Sequence, residues 1–126
     1  MARVNMSTRD LVQGYYDSLG RKDDKWQELY SDDAVFSDAS QTLNAKGKVA
    51  VIRSFVPFLE GVAAVKVRQM IVEGENACAI VGYDYANPKG QKMSQDVAEV
   101  WKVKDGKLTK LTIYFDLIAY RNFMRG

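Results

Sequence analysis

Hydrophobic positions recur at helical spacing in the first half of the chain and at alternating spacing in the second. After Ser7-Thr8-Arg9-Asp10, which has the form of a capping box, Leu11, Val12, Tyr15, Tyr16 and Leu19 mark one helix face, and Gly20 is the expected stop. Asp23 to Tyr30 reads as a second short helix, with Trp26, Leu29 and Tyr30 on its apolar side. Ser31-Asp32-Asp33 then reads as a turn, Ala34 to Asp38 as a short strand and Ala39 to Gly47 as a loop. A third helix is predicted over Lys48 to Leu59. It turns Val49, Ile52, Phe55, Val56 and Leu59 inward, and Pro57 ends or bends it.

From Val62 the period changes to two. Val65, Val67, Gln69 and Ile71 alternate with Lys66, Arg68 and Met70 as far as Gly74. Asn76 to Ala86 is a second strand, Asn87-Pro88-Lys89-Gly90 a turn, and Gln91 to Val103 a third strand. Asp105-Gly106 marks a hairpin into Lys107 to Phe115, and Leu117 to Met124 suits a short terminal helix. Helices followed by an antiparallel meander is an α+β order, and a curved sheet wrapped over the helices encloses a pocket. One domain is expected over 7–126, with 1–6 as a flexible arm.

Composition removes several function classes. The chain has 126 residues, 18 basic against 16 acidic, and its longest basic run is Arg21-Lys22, so no electrostatic footprint for nucleic acid is present. Its longest wholly apolar run, Ala77 to Val81, is far short of a membrane span. The single cysteine, Cys78, excludes an internal disulfide and fits a reducing, cytoplasmic compartment. The absence of histidine removes the usual general base and the commonest transition-metal ligand, so acid–base work falls to carboxylates, tyrosines or lysines.

The strand Gln91 to Val103 carries the strongest chemical signal. Its core face reads Met93, Gln95, Val97, Glu99, Trp101, Val103, which places a carboxylate amid apolar neighbours. Glu99 is either paired with a lysine or arginine, placed at an edge that reaches solvent, or held neutral in a pocket. Asp38 reads as a turn or cap residue. Tyr15 lies nearer the middle of its helix's apolar arc than Tyr16 does. Asp84 shares a face with Cys78, Ile80 and Gly82, whereas Val81, Tyr83 and Tyr85 oppose it, so either face suits the inside.

Leu11-Val12-Gln13-Gly14-Tyr15 and the run from Glu28 to Asp38 resemble the opening of ketosteroid isomerases, and the strands around Glu99 and from Lys107 to Asp116 resemble their closing part. These enzymes belong to the nuclear-transport-factor-like superfamily, with polyketide cyclases and limonene epoxide hydrolases. The resemblance implies a cystatin-like cone, a curved antiparallel sheet around three helices. It matches Tyr15 to the oxyanion-hole tyrosine, Asp38 to the general base and Glu99 to the protonated aspartate that helps bind the oxyanion. Tyr30 matches a supporting tyrosine, while Val56 replaces another pocket tyrosine. Phe36, Phe55, Val97, Trp101, Ile113 and Phe115 would shape the walls, with Asp84 as a further contact.

The implied reaction is proton transfer α to a carbonyl on a small hydrophobic molecule, without cofactor or metal, in a homodimer joined through the outer sheet face. The alternatives are a non-catalytic binding module and a mainly structural dimerisation domain. Polyketide cyclase ranks lower, as does epoxide hydrolase, whose Asp-Arg-Asp positions fall here on Ile80, Gly82 and Ile113.

Overall fold

The computed structural model describes residues 7–126, so the expected arm at 1–6 lies outside the described residues. Helix α1 spans Thr8–Arg21, and Ser7 caps it by accepting the Asp10 N–H at 3.1 Å. Gly20 lies inside the helix; the stop is Lys22, in the left-handed conformation at φ 59°. The expected second helix is only a 3-10 turn, Lys25–Leu29, because strand β1 begins at Tyr30 and runs to Asp38 through the predicted turn. Within the expected loop lies a short strand, β2 (Asn44–Lys46). Helix α2 (Lys48–Glu60) continues past Pro57, and β3 (Val62–Glu73), β4 (Asn76–Ala86), β5 (Lys92–Lys104), β6 (Lys107–Tyr114) and α3 (Leu117–Arg125) follow.

The α+β cone is the observed fold, with a curved six-stranded sheet in the order β2-β1-β6-β5-β4-β3. The sheet is mixed, since β1 lies parallel to β6 while the other pairings are antiparallel. Two helical elements and the 3-10 turn precede or interrupt the early strands, and the third α-helix is C-terminal.

Alternation divides the sheet cleanly on β4 and β5. Ala77, Ala79, Val81, Tyr83 and Tyr85 face inward with Val97, Glu99, Trp101 and Val103, and all are buried. On β3 a register shift between Val67 and Gln69 breaks the expected alternation. Val65 and Val67 pair with inward Tyr83 and Val81, and beyond the shift it is Met70 and Val72 that pair with inward Ala79 and Ala77. Gln69 and Ile71 therefore turn outward, and Ile71 is 59% exposed. Helix α1 lies across the concave face with Leu11, Val12, Tyr15, Tyr16 and Leu19 buried.

Candidate active site

Glu99 sits in the middle of the concave face, opposite Ala79 on β4 and Ile113 on β6, and is 3% exposed. Two phenols hold its carboxyl group. Tyr16 donates to Oε1 at 2.6 Å and Tyr83 to Oε2 at 3.0 Å. The indole Nε1–H of Trp101 in turn donates to Tyr16 Oη at 2.8 Å. Among the described residues the ion pairs are Arg21–Asp23 and Arg68–Asp96, so no cation neutralises Glu99. Burial pushes its carboxyl up to about 7, against the two tyrosine hydrogen bonds, which pull the other way.

Tyr15 faces the same cavity. Tyr30 donates to Tyr15 Oη at 3.0 Å, and the Tyr15 proton has no acceptor among the described residues. Burial first, and then the charge on Glu99, push the Tyr15 hydroxyl far above its ordinary value, while the Tyr30 bond lowers it. Tyr15 is thus neutral at any working pH, and its hydroxyl keeps a proton to donate.

The cavity has a volume of about 720 Å³, within the range of small-molecule sites. Of the expected wall residues, Phe36, Phe55, Val97, Ile113 and Phe115 line it, as do Tyr15 and Glu99. Sequence reasoning missed Phe58, Tyr83, Tyr85 and Tyr120, whose rings form a contiguous aromatic wall with centroid separations of 5.1–6.1 Å. Tyr16 and Tyr83, the two partners of Glu99, were missed as well. The available signal was that a buried carboxylate with no nearby cation needs hydroxyl or N–H donors on the facing elements.

Several expected positions need correction. Val56 and Val49 lie on the outer face of α2, 41% and 67% exposed, because α2 packs through Val51 and Phe55 and the next residue is rotated about 100° away. Asp84 is exposed on the convex sheet face, where it accepts from Ser94 Oγ at 2.6 Å; Tyr83 and Tyr85 take the inner face instead. Tyr30 and Trp101 are buried behind Tyr15 and Tyr16, where they support the site without forming its wall.

Asp38 shares a sheet row with Ile113 and Glu99, two strand spacings or about 10 Å from Glu99. It does not line the cavity. Its carboxylate closes the turn into β2, accepting the Leu43 N–H at 2.8 Å and the Ser40 hydroxyl. Burial alone would raise this group, but the bonds from Ser40 and Leu43 hold it below its ordinary value. The structure thus brings Tyr15 and Glu99 together and leaves Asp38 outside.

Among the described residues no helix is long and apolar enough to cross a membrane. A family model for the SnoaL-like domain matches residues 12–111. A comparison with curated proteins finds no match. The chain is similar to a solved structure from Jannaschia sp. CCS1 assigned as a SnoaL-like polyketide cyclase, at 18% identity and TM-score 0.82, covering 98% of this chain and 96% of that one. A structure from Bacillus subtilis assigned as an isomerase superimposes at TM-score 0.80 with 16% identity, covering 94% and 93%. TerC, co-crystallised with polyporic acid, does so at 0.79 with 14% identity, covering 94% and 98%. At these identities the solved structures establish the fold alone.

Proposed function

This chain belongs to the SnoaL-like domain family, and on that premise we propose that it transfers a proton α to a carbonyl of a small hydrophobic substrate held in the cone. One observation carries the reading: a buried carboxyl group without a cation and a tyrosine with an uncommitted proton face one apolar cavity. Glu99 as carboxylate takes the proton from the α-carbon, and the C–H electron pair moves into the enolate. Tyr15 hydrogen-bonds the oxygen on which that charge collects. Glu99, now a carboxylic acid, returns the proton to a different carbon of the same intermediate, which completes an isomerisation with no net proton change. A group poised near neutral pH suits both halves of that cycle.

Tyr16 and Tyr83 hold the carboxylate in place, and Tyr30 orients Tyr15. Asp38, which the sequence resemblance nominates as base, is assigned here to the turn into β2, and Glu99 takes the base role. That TerC was crystallised with a small organic molecule supports reading the cavity as a ligand site.

The reading is tested with two probes. Substituted naphthols mimic the enolate, and Tyr15→Phe should weaken their binding about tenfold or more, the worth of a hydrogen bond to a charged oxygen. Deuterium exchange into the α-positions of 2-tetralone, followed by NMR, should run faster than in buffer and fall to the buffer rate in Glu99→Gln. Exchange undiminished in that variant would refute Glu99 as the base. Naphthol binding indifferent to Tyr15→Phe would point to a binding module.

A further inference from the structure

The cavity has two chemically different ends. At one end stand Glu99 and Tyr15. At the other, α3 lays Tyr120, Arg121, Met124 and Arg125 along the lining. Arg121 and Arg125 are one helical turn apart and so share a face. Helix α3 is seated there by Tyr120, whose ring is 5.1 Å from that of Tyr85 and 5.7 Å from that of Phe58.

Neither guanidinium has a carboxylate within ion-pairing distance among the described residues, and neither donates a hydrogen bond to the protein. Glu99 is the one acidic side chain on the lining. The Phe58 ring bridges the two ends, 5.4 Å from that of Tyr83, whose hydroxyl meets Glu99, and 5.7 Å from that of Tyr120. A second feature marks the same end. The Tyr85 hydroxyl, beside Tyr120, is buried with no partner, so a donor there is left without an acceptor. The family match stops at residue 111, so the arginine pair lies on a part of the chain that the match does not describe.

Resting on the reading of this cavity as the substrate site, we propose that its substrate is an elongated aromatic carboxylate. The rings lie along the aromatic wall, the reacting oxygen meets Tyr15, and the carboxylate is held by Arg121 and Arg125 at the mouth. A planar guanidinium matches a carboxylate through paired N–H bonds, and two of them on one helix face give that group a defined seat.

The test uses three ligands of one shape: 4-phenylphenol, 4′-hydroxybiphenyl-4-carboxylate and the corresponding primary amide, titrated calorimetrically at low salt. The carboxylate is expected to bind wild type about tenfold more tightly than the amide, an advantage that shrinks in 0.5 M NaCl. In the Arg121→Gln, Arg125→Gln double variant the carboxylate should fall to the affinity of the amide; both arginines are exposed, so their replacement leaves the core untouched. A carboxylate that binds wild type no better than the amide, or an advantage that survives in the double variant, overturns the proposal. The 4-phenylphenol arm keeps the two readings apart. If its binding ignores Tyr15→Phe while the arginine-dependent preference holds, the proton-transfer reading fails and the carboxylate seat stands.

Discussion

Replacing Glu99 by glutamine should remove a pH dependence of stability that the buried carboxyl group creates. Burial moves this group from the ordinary value of 4.5 to about 7, so the folded chain prefers its protonated form by about 3 kcal/mol. Below pH 4.5 the group is protonated in folded and unfolded chains alike, and it carries no penalty. Between 4.5 and 7 the unfolded chain ionises while the folded one stays protonated, so stability falls by about 1.4 kcal/mol per pH unit. Above 7 both are ionised and the loss levels off at about 3 kcal/mol.

Urea unfolding, followed through the buried Trp26 and Trp101 at fixed protein concentration from pH 4.5 to 8.5, measures this directly. Asp38, whose carboxyl is lowered, acts in the opposite sense, since its stabilisation is lost as pH falls. Only the difference between wild type and Glu99→Gln therefore isolates Glu99. Wild type should lose about 3 kcal/mol relative to the variant across the range, a relative midpoint shift of roughly 1–3 M urea. A difference that does not change with pH would refute the reasoning. It would mean that Tyr16 and Tyr83 offset burial completely and that Glu99 is an ordinary ionised carboxylate.

Two further substitutions test neighbouring claims. Asp38→Asn should cost about 1–2 kcal/mol in urea unfolding, because it weakens the bonds that close the turn at Ser40 and Leu43, while 2-tetralone exchange continues; intact stability with exchange abolished would restore Asp38 as the base. Tyr85→Phe removes a buried hydroxyl that has no partner, so the ligand-free protein should gain up to about 1 kcal/mol. A clear loss in the same unfolding assay would reveal a partner for that hydroxyl.

Where a pattern was local, it could be read before the fold was known. The inward face of β5, from Met93 to Val103, follows from alternation alone, and the Asp105-Gly106 hairpin from the positive φ that both residues adopt, 52° and 73°. The parallel pairing of β1 with β6 could not be read, because β1 and β6 are separated by most of the chain and no periodicity records which edge a returning strand joins. The bulge in β3 was hidden for a related reason. It moves Gln69 and Ile71 outward and Met70 inward, against a simple alternation that polar and apolar residues satisfied equally well. In α2 the error was one of phase: Val56 is as apolar as Phe55, and only packing against the sheet shows which of them points in. Of the candidate site, the inward placement of Tyr15 and Glu99 was legible, because their surroundings on their own elements are apolar. Tyr16, Tyr83 and the α3 arginines gain meaning only from elements far away in sequence.

Two carboxyl groups in one sheet row have opposite charge preferences, and their donors explain why. Asp38 receives a backbone N–H and a hydroxyl from its own turn and stays ionised. Glu99 receives only phenols in a buried setting, which raises its carboxyl to about 7. The hydrogen-bond chain to Glu99 also has a direction. An indole N–H can only donate, so Trp101 obliges Tyr16 Oη to accept, and Tyr16 in turn gives its own proton to Glu99 Oε1. With Oε1 committed as an acceptor, a proton gained by Glu99 goes to Oε2. That oxygen is the one facing Tyr83, which lines the cavity, whereas Tyr16 does not. A phenol can rotate from donor to acceptor as the carboxyl group is protonated, so Tyr83 can follow the proton while Trp101 and Tyr16 hold the other oxygen still. On the mechanism proposed above, Oε2, the Glu99 oxygen bonded to cavity-lining Tyr83, is therefore the one that exchanges the proton.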